Sequence, residues 1–535
     1  MLYREKLKLN IIAKINNFLN KKGTPIYFIL LLILMAGIYY PSFSDPPRSD
    51  SWSTLHFFHN LGDYPGNSKW LHVINFDPWT QIRFYPLAFL LHYWQHSLFG
   101  VNFIYSHHIF NFILYYLSII LLYNLAINFC KNRTLILIFL FIFAFLFSHF
   151  DIVIWAFHFY IIFGFCSFIL GFLIYLRYLE TGKKKFLLFI ILLFLTGMLS
   201  YEPFALWPWA ILILNFVDTK EKKIVFKNKS NKFASFLIIG VVYTFYIASF
   251  LFSRAIKTYD APVLSWDKVL TLNPFIFFVV FFNFLYNSIF VNLIPKITIP
   301  FSTRIEDNIN MGGIIEKISA DSIKFNNIIL YSSLIFIIVL CISMVFLVKK
   351  KGIKSAGTVS FFLFLLVSGY YILFYCRSLT NDYVYCLQQF RYQYISNAFI
   401  VLLGVYLLEN LITLSQWRKI IIYLFAFIIF ISNVSMTRKY VLMVSQQLKP
   451  LKEIIQNIKS GIKEEKINSN KRLYIDNSIV QELPKLCWNR QMGTYFMKGT
   501  YQWIFNRNEI KYFSFSPEDA HWIIDKDSLR IIKKQ

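Results

Sequence analysis

Three carboxylates stand where an apolar run meets polar sequence: Asp50 shortly after the first run, Asp151 at the end of the third, and Glu202 after the fifth. A carboxylate held at such a boundary, with Trp52, Trp155 and Trp207 nearby to desolvate it, is placed to take a proton from a hydroxyl. The same position also suits a helix cap or a solvated loop charge, and Glu202-Pro203 reads equally well as a helix start with Pro at an early position. Arg83, Arg254 and Arg391 lie in polar segments between runs. Arg can bind anions bidentately or anchor on a lipid headgroup. His56-x-x-His59 and His92-x-x-x-His96 have spacings that put both rings on one helical face, but neither has a third ligand close by, so no metal site is assigned. The six Cys are sparse; Cys376 and Cys386 bracket one segment, with the unpaired state preferred to a bridge. His521 and Cys487 are isolated and read as structural.

The elements that must position these groups are membrane helices. Of 535 residues, 57% are hydrophobic, 20% aromatic and only 15% charged, whereas a soluble domain carries about a quarter charged residues. Apolar blocks of about 15 to 25 residues alternate with charged clusters, the length that crosses ~30 Å of hydrocarbon. The blocks fall near 25–41, 106–129, 134–150, 157–176, 186–200, 204–217, 233–252, 326–348, 357–375, 396–415 and 420–434. Three of them (186–200, 204–217 and 420–434) are short. The run 273–294 is also apolar enough to span. Only Glu409 places a carboxylate inside a run, which counts against a proton- or sodium-driven transporter.

Lys and Arg set the orientation. With a cytoplasmic N-terminus and 271–294 read as a helix on the outer surface, the inner segments hold 24 Lys/Arg in 59 residues and the outer ones 12 in 119. That four-fold bias, strongest at Lys183-Lys184-Lys185 and Lys349-Lys350-Lys351, implies about eleven crossings and an extracytoplasmic C-terminal tail. The net charge of +26 then belongs to loops facing anionic lipid and calls for no nucleic acid. Pro41-Ser42-Phe43-Ser44 gives no small-x-small cleavage site, so the first run reads as a retained anchor. The fold expected is an all-α polytopic membrane domain over 1–434, with a long first outer loop at 41–105, and a small extracytoplasmic α/β domain over 435–535. In that tail Leu448, Leu451, Ile454, Ile455 and Ile458 recur at helical spacing, and strand-like runs follow at 472–475, 494–497, 501–505, 511–515 and 522–524. Lys-, Ile- and Asn-rich usage points to an AT-rich genome and hence to a bacterial inner membrane.

Several segments taken in order resemble the GT-C membrane glycosyltransferases, closest to the transmembrane O-mannosyltransferases and their bacterial relatives. Arg83-Phe-Tyr-Pro86-Leu87, then Phe99-Gly100-Val101-Asn102, then His108-Ile-Phe-Asn111 is similar to that family's Arg-Pro-Leu, Phe-Gly-x-Asn and His-x-x-Asn series. Ser49-Asp50-Ser51-Trp52 resembles its acidic motif after the first span. His149-Phe150-Asp151-Ile152-Val153-Ile154-Trp155 resembles its His-x-Glu-x-Val-x-Trp segment, and Arg391-Tyr392-Gln393-Tyr394-Ile395-Ser396 its Arg-Tyr-x-Tyr-x-Pro-Ser segment. There are departures. Ser49 replaces the first Asp of the acidic pair, Tyr85 stands in place of the motif Arg, Asp151 replaces a Glu, and Phe390 stands where a Glu often precedes the Arg.

The resemblance implies a sugar transferred from a polyprenyl-phosphate-linked donor to an acceptor hydroxyl on the extracytoplasmic face, with inversion. It implies Asp50 as base, Asp151 and His149 orienting base or acceptor, and Arg391, Arg83 and Arg254 facing the lipid phosphate. Glu202, Trp52 and Tyr394 are further substrate-binding candidates. No cofactor is required; a divalent cation between Asp50 and Asp151 is the alternative, weakened by the lost Asp. The acceptor is a glycan, glycolipid or protein. Competing readings are an O-antigen-type polymerase or ligase, a non-enzymatic lipid-linked glycan carrier or flippase, and a degenerate scaffold.

Overall fold

The structure, a computed structural model, describes residues 23–46, 85–99, 103–155, 158–217, 229–255, 274–293, 295, 327–378, 393–411, 416–476, 513–514, 516–525 and 527–534. It is an all-α multi-pass membrane bundle with a small mixed element at its C-terminal end. Among the described residues, eight helices are long and apolar enough to cross a bilayer, or nine if one bent pair counts as a span. The eleven expected runs are all helical in these places, but two fall short as single spans. Lys185–Ser200 has only 16 residues, and Pro203 and Pro208 break the segment Glu202–Leu214 into two 3₁₀ turns and a five-residue helix. The run near 420–434, short by sequence, belongs to a 32-residue helix.

In chain order the helices are α1 (Thr24–Tyr39), α2 (Pro86–Phe99), α3 (Phe103–Phe129), α4 (Arg133–Ala144), α5 (Phe150–Ile154), α6 (Phe159–Thr181), α7 (Lys185–Ser200), α8 (Ala210–Leu214), α9 (Lys229–Ala255), α10 (Pro274–Leu293), α11 (Asn327–Lys351), α12 (Ile353–Ser378), α13 (Gln393–Leu411), α14 (Gln416–Gln447) and α15 (Lys449–Lys463). α6 is the enclosed centre, with 72% of its apolar stretch buried. α11 lies outermost at 17%, presenting Ile335, Ile338, Val339 and Phe346 outward as a lipid-facing side.

Small residues let α6 and α7 approach closely. A Cβ on Gly197 would fall 2.2 Å from the Phe168 ring, and one on Gly171 2.5 Å from Phe194. Gly182, at φ +66, ends α6 in the left-handed conformation that suits glycine. Glu409 is not a substrate group: its carboxylate accepts the backbone N–H of Lys131 at 2.6 Å and of Asn132 at 3.1 Å, ahead of the α4 N-terminus. Together with Asn132 Oδ1, which accepts from Leu135 N at 3.1 Å, it closes the open end of α4.

The reading of 271–294 as a surface helix is corrected. α10 packs into the bundle against α11, α13 and α14. Phe284, Leu285, Tyr286, Val291 and Asn292 are buried. Ser333 of α11 donates to Phe282 O at 2.8 Å. Periodicity could not separate the two placements, because a mostly apolar helix with a few amides suits either a lipid surface or a protein interior.

In the tail, α15 buries Leu451, Ile454, Ile455 and Ile458 on one side, as its spacing predicts. Burial pushes the Lys459 ammonium below its ordinary pKa. Strands β1 (Leu473–Tyr474), β2 (Trp522–Ile524) and β3 (Ile531–Lys533) form a sheet in that order, β1 parallel and β3 antiparallel to β2. The strand-like runs at 494–497 and 501–505 lie outside the described residues.

Candidate functional site

The two ends of the bundle differ: one, the Lys-rich end, carries the triple lysine that finishes α11, and the other carries α15 with its own Lys449, Lys452, Lys459 and Lys463. At the Lys-rich end α11 finishes in Lys349, Lys350 and Lys351. Of the expected site groups, the described Asp151, Glu202, His149 and Tyr394 belong to the other end, where α1 stops and Tyr85 leads into α2. α1 runs into a 3₁₀ turn, Tyr40–Ser44, followed by Asp45, a carboxylate only 3% exposed. Ser445 of α14 donates to Asp45 Oδ1 at 2.9 Å, His108 of α3 donates through Nε2 to its carbonyl at 3.2 Å, and Lys452 of α15 donates to Ser44 Oγ at 2.5 Å. The departure point of the first loop is thus fixed from three helices, one of them in the tail.

Asp151 sits on α5, the far half of a span bent by 56° between Ala144 and Phe147. Such a break frees backbone N–H groups that must find partners away from water. They do. Phe147 N donates to Asn433 Oδ1 at 2.8 Å, Ser148 N donates to Asn292 Oδ1 at 3.2 Å, and Asn433 Nδ2 binds Asn292 O at 2.6 Å. Asn111 closes the other end of α5, giving Nδ2 to Ile152 O at 2.6 Å and Val153 O at 2.8 Å. The half-buried Asp151 therefore rides on a short rigid helix.

His149, in the turn before α5, is fully buried. Asn397 Nδ2 lies 3.1 Å from its Nε2 and Tyr115 Oη 2.8 Å from its Nδ1. The consistent assignment is a neutral ring accepting from Asn397 and donating to Tyr115, whose hydroxyl passes its proton to Ala144 O at 3.1 Å. Tyr394, in the first turn of α13, is also fully buried. Its hydroxyl donates to Ser118 Oγ at 2.6 Å, and its ring packs on His149 at 5.2 Å. Both residues lie inside the bundle, tying α13 to α3 and to the bend.

A layer of aromatic and imidazole rings closes this end. Tyr85, at the return of the first loop, stacks on Tyr160 at 5.8 Å; Tyr160 meets Tyr201 at 5.8 Å, and Trp155 meets His158 at 4.4 Å. His92 stacks on His107 at 4.7 Å, with Nδ1 and Nε2 3.5 Å apart, so its ring partner is on α3. Glu202 follows Tyr201 at the head of a 3₁₀ turn and is 7% exposed. Trp207 is fully buried among Phe165, Phe168, Phe204 and Phe399, inside the bundle.

Asp50, Trp52, Arg83 and Arg391 lie outside the described residues, as do His56 and His59; so do the side chains of Arg254, His96 and Cys376, and Cys386 as a whole. The backbone of Arg254 is in the last turn of α9, and α13 begins two residues after Arg391. Among the described residues, no three His, Cys, Asp or Glu side chains gather as metal ligands. Sequence reasoning missed Asp45, Asn292, Asn397 and Asn433, and met Asn111 only within the segment His108-Ile-Phe-Asn111. For the asparagines the readable signal was an amide inside an apolar run, where each such side chain must find a partner.

No family model matches the sequence, and no curated protein does. Among solved structures the chain is similar to the archaeal oligosaccharyltransferase AglB from Archaeoglobus fulgidus, solved with an inhibitory peptide and a dolichol-phosphate. The likeness has a TM-score of 0.41 and 13% identity, covering 89% of this chain and 65% of that one, so this chain spans just under two thirds of AglB's length.

Proposed function

We propose that the chain is a membrane glycosyltransferase of the GT-C type, moving a sugar from a polyprenyl-phosphate-linked donor to an acceptor hydroxyl on the extracytoplasmic face, with inversion. The observation that carries the reading is convergence. Both ends of the first loop, at Asp45 and Tyr85, the helix bearing Asp151, the turn bearing Glu202 and the start of α13 all belong to the same end of the bundle. The loop holding Asp50 and the segment holding Arg391 both join that end.

In this reading the acceptor oxygen attacks the anomeric carbon from the side opposite the lipid phosphate. Asp50 takes the hydroxyl proton, the new C–O bond forms, and the sugar–phosphate bond breaks with its electron pair leaving on the lipid phosphate. Arg391, assisted by Arg83 and Arg254, stabilises that charge; losing one such stabiliser typically costs ~10²–10³ in rate. Asp151 and Glu202 orient the acceptor. His149 and Tyr394 act from inside, as positioning residues that hold α5 and α13 in register. No step uses a metal. The test is turnover of a panel of radiolabelled polyprenyl-phosphate monosaccharides by the purified protein in nanodiscs, with membrane extract as acceptor. Turnover of one donor supports the reading; a folded protein that turns over none contradicts it.

A further inference from the structure

A cavity of about 460 Å³ opens between α4, α10, α11, α13 and α14, with Leu146, Asn292 and Asn397 of the bend at its far end. Its lining is apolar apart from Ser288, Asn292, Ser343 and Asn397. Along α13 it runs from Asn397 to Leu408, ~16 Å at 1.5 Å per residue. Its volume lies within the ~300–1,000 Å³ typical of sites for small ligands.

The walls of this cavity carry cations to one end of it. α11 finishes in the exposed Lys349, Lys350 and Lys351. Lys350 Nζ donates to Leu411 O at 3.3 Å, joining the end of α11 to the end of α13. α14 begins with exposed Trp417 and Arg418, one turn before the cavity residues Ile421 and Ile422. An apolar slot between spanning helices with a basic mouth is the arrangement that holds anionic headgroups.

We propose that the cavity and its rim bind one anionic glycerophospholipid, an acyl chain in the slot and the phosphate on Lys349, Lys350, Lys351 and Arg418. The charge at the mouth selects an anionic headgroup over a zwitterionic one. The lining spans ~16 Å along α13, room for most of one acyl chain but for only a short part of a polyprenyl chain. Its mouth is at the Lys-rich end and its far end reaches Asn397, whose amide also meets His149, so lipid retention is read separately from sugar transfer.

The test is native mass spectrometry of the full chain, with thermal unfolding after titration of phosphatidylglycerol, phosphatidylcholine or a polyprenyl phosphate. Wild type is expected to retain about one phosphatidylglycerol and to be stabilised by it saturably. Joint substitution Lys349→Gln, Lys350→Gln, Lys351→Gln and Arg418→Gln should weaken that binding at least tenfold. Lys452→Gln with Lys463→Gln in the tail should leave it unchanged. Gly404→Leu, where a Cβ meets only Phe139 at 3.7 Å and the branches enter the slot, should abolish retention. Should Gly404→Leu fail to fold, the four-charge variant decides alone. Equal retention of phosphatidylcholine, retention unaltered in the four-charge variant, or displacement by the polyprenyl phosphate would overturn the proposal.

Discussion

Single side chains divide into those that could do chemistry and those that hold the rest still. Asp151 belongs to the first group, being half-buried on a helix whose two ends are tied by asparagines. Asp151→Asn keeps that geometry and removes the charge, so we expect kcat to fall by ~10²-fold with the melting temperature unchanged. Equal loss of both would make Asp151 structural. His149 belongs to the second. His149→Leu removes one acceptor of Asn397 Nδ2, which keeps Ser148 Oγ, and the donor to Tyr115, which keeps its bond to Ala144 O, at a cost of ~1–3 kcal/mol in all. The expected outcome is a clear drop in melting temperature. The boundary positions of Asp151 and Glu202 were legible because a carboxylate next to an apolar run is conspicuous. The role of His149 was not, since its type is the same whether it faces substrate or Asn397. Glu409 was flagged only as an exception, and its partners are backbone N–H groups that no sequence pattern announces.

At the scale of elements, the bend between α4 and α5 is the feature that positions the site. Asn433→Leu strips the acceptor from Phe147 N and the donor to Asn292 O. It should lower thermal stability and also increase hydrogen exchange at 145–149, whereas exchange confined to α14 would show that the bend stands without it. The α6–α7 hairpin gives a steric test. Gly197→Val forces a side chain onto the Phe168 ring, and overpacking of this kind costs ~1–3 kcal/mol. A wild-type melting temperature would mean that the rings move aside without cost. Helix positions were readable from hydrophobic blocks almost throughout. The placement of α10 was not read, although Asn283, Asn287, Ser288 and Asn292 within its apolar run were the available signal in the sequence. Helix breaks at Pro203 and Pro208 were readable in principle from proline alone.

For the whole molecule, the account requires that the tail and the carboxylate-bearing end share one side of the membrane, with the triple-lysine clusters on the other. The contacts of Ser445 and Lys452 with Asp45 and Ser44 tie the tail to the end of α1. Cysteines introduced at Ser516 and Lys184 should therefore react with a membrane-impermeant maleimide from opposite faces; labelling from the same face would invert the topology. Charge bias in the sequence is what suggests this arrangement, and two of the eleven expected runs are helices below the length of a single span. The most direct test of the central claim is donor turnover by wild type beside Asp50→Asn, both verified as folded in nanodiscs. The account predicts transfer from one polyprenyl-phosphate monosaccharide by wild type, with loss of at least ~10²-fold in the variant. Undiminished transfer in Asp50→Asn would contradict the assigned base, and absence of transfer by folded wild type would contradict the enzyme itself.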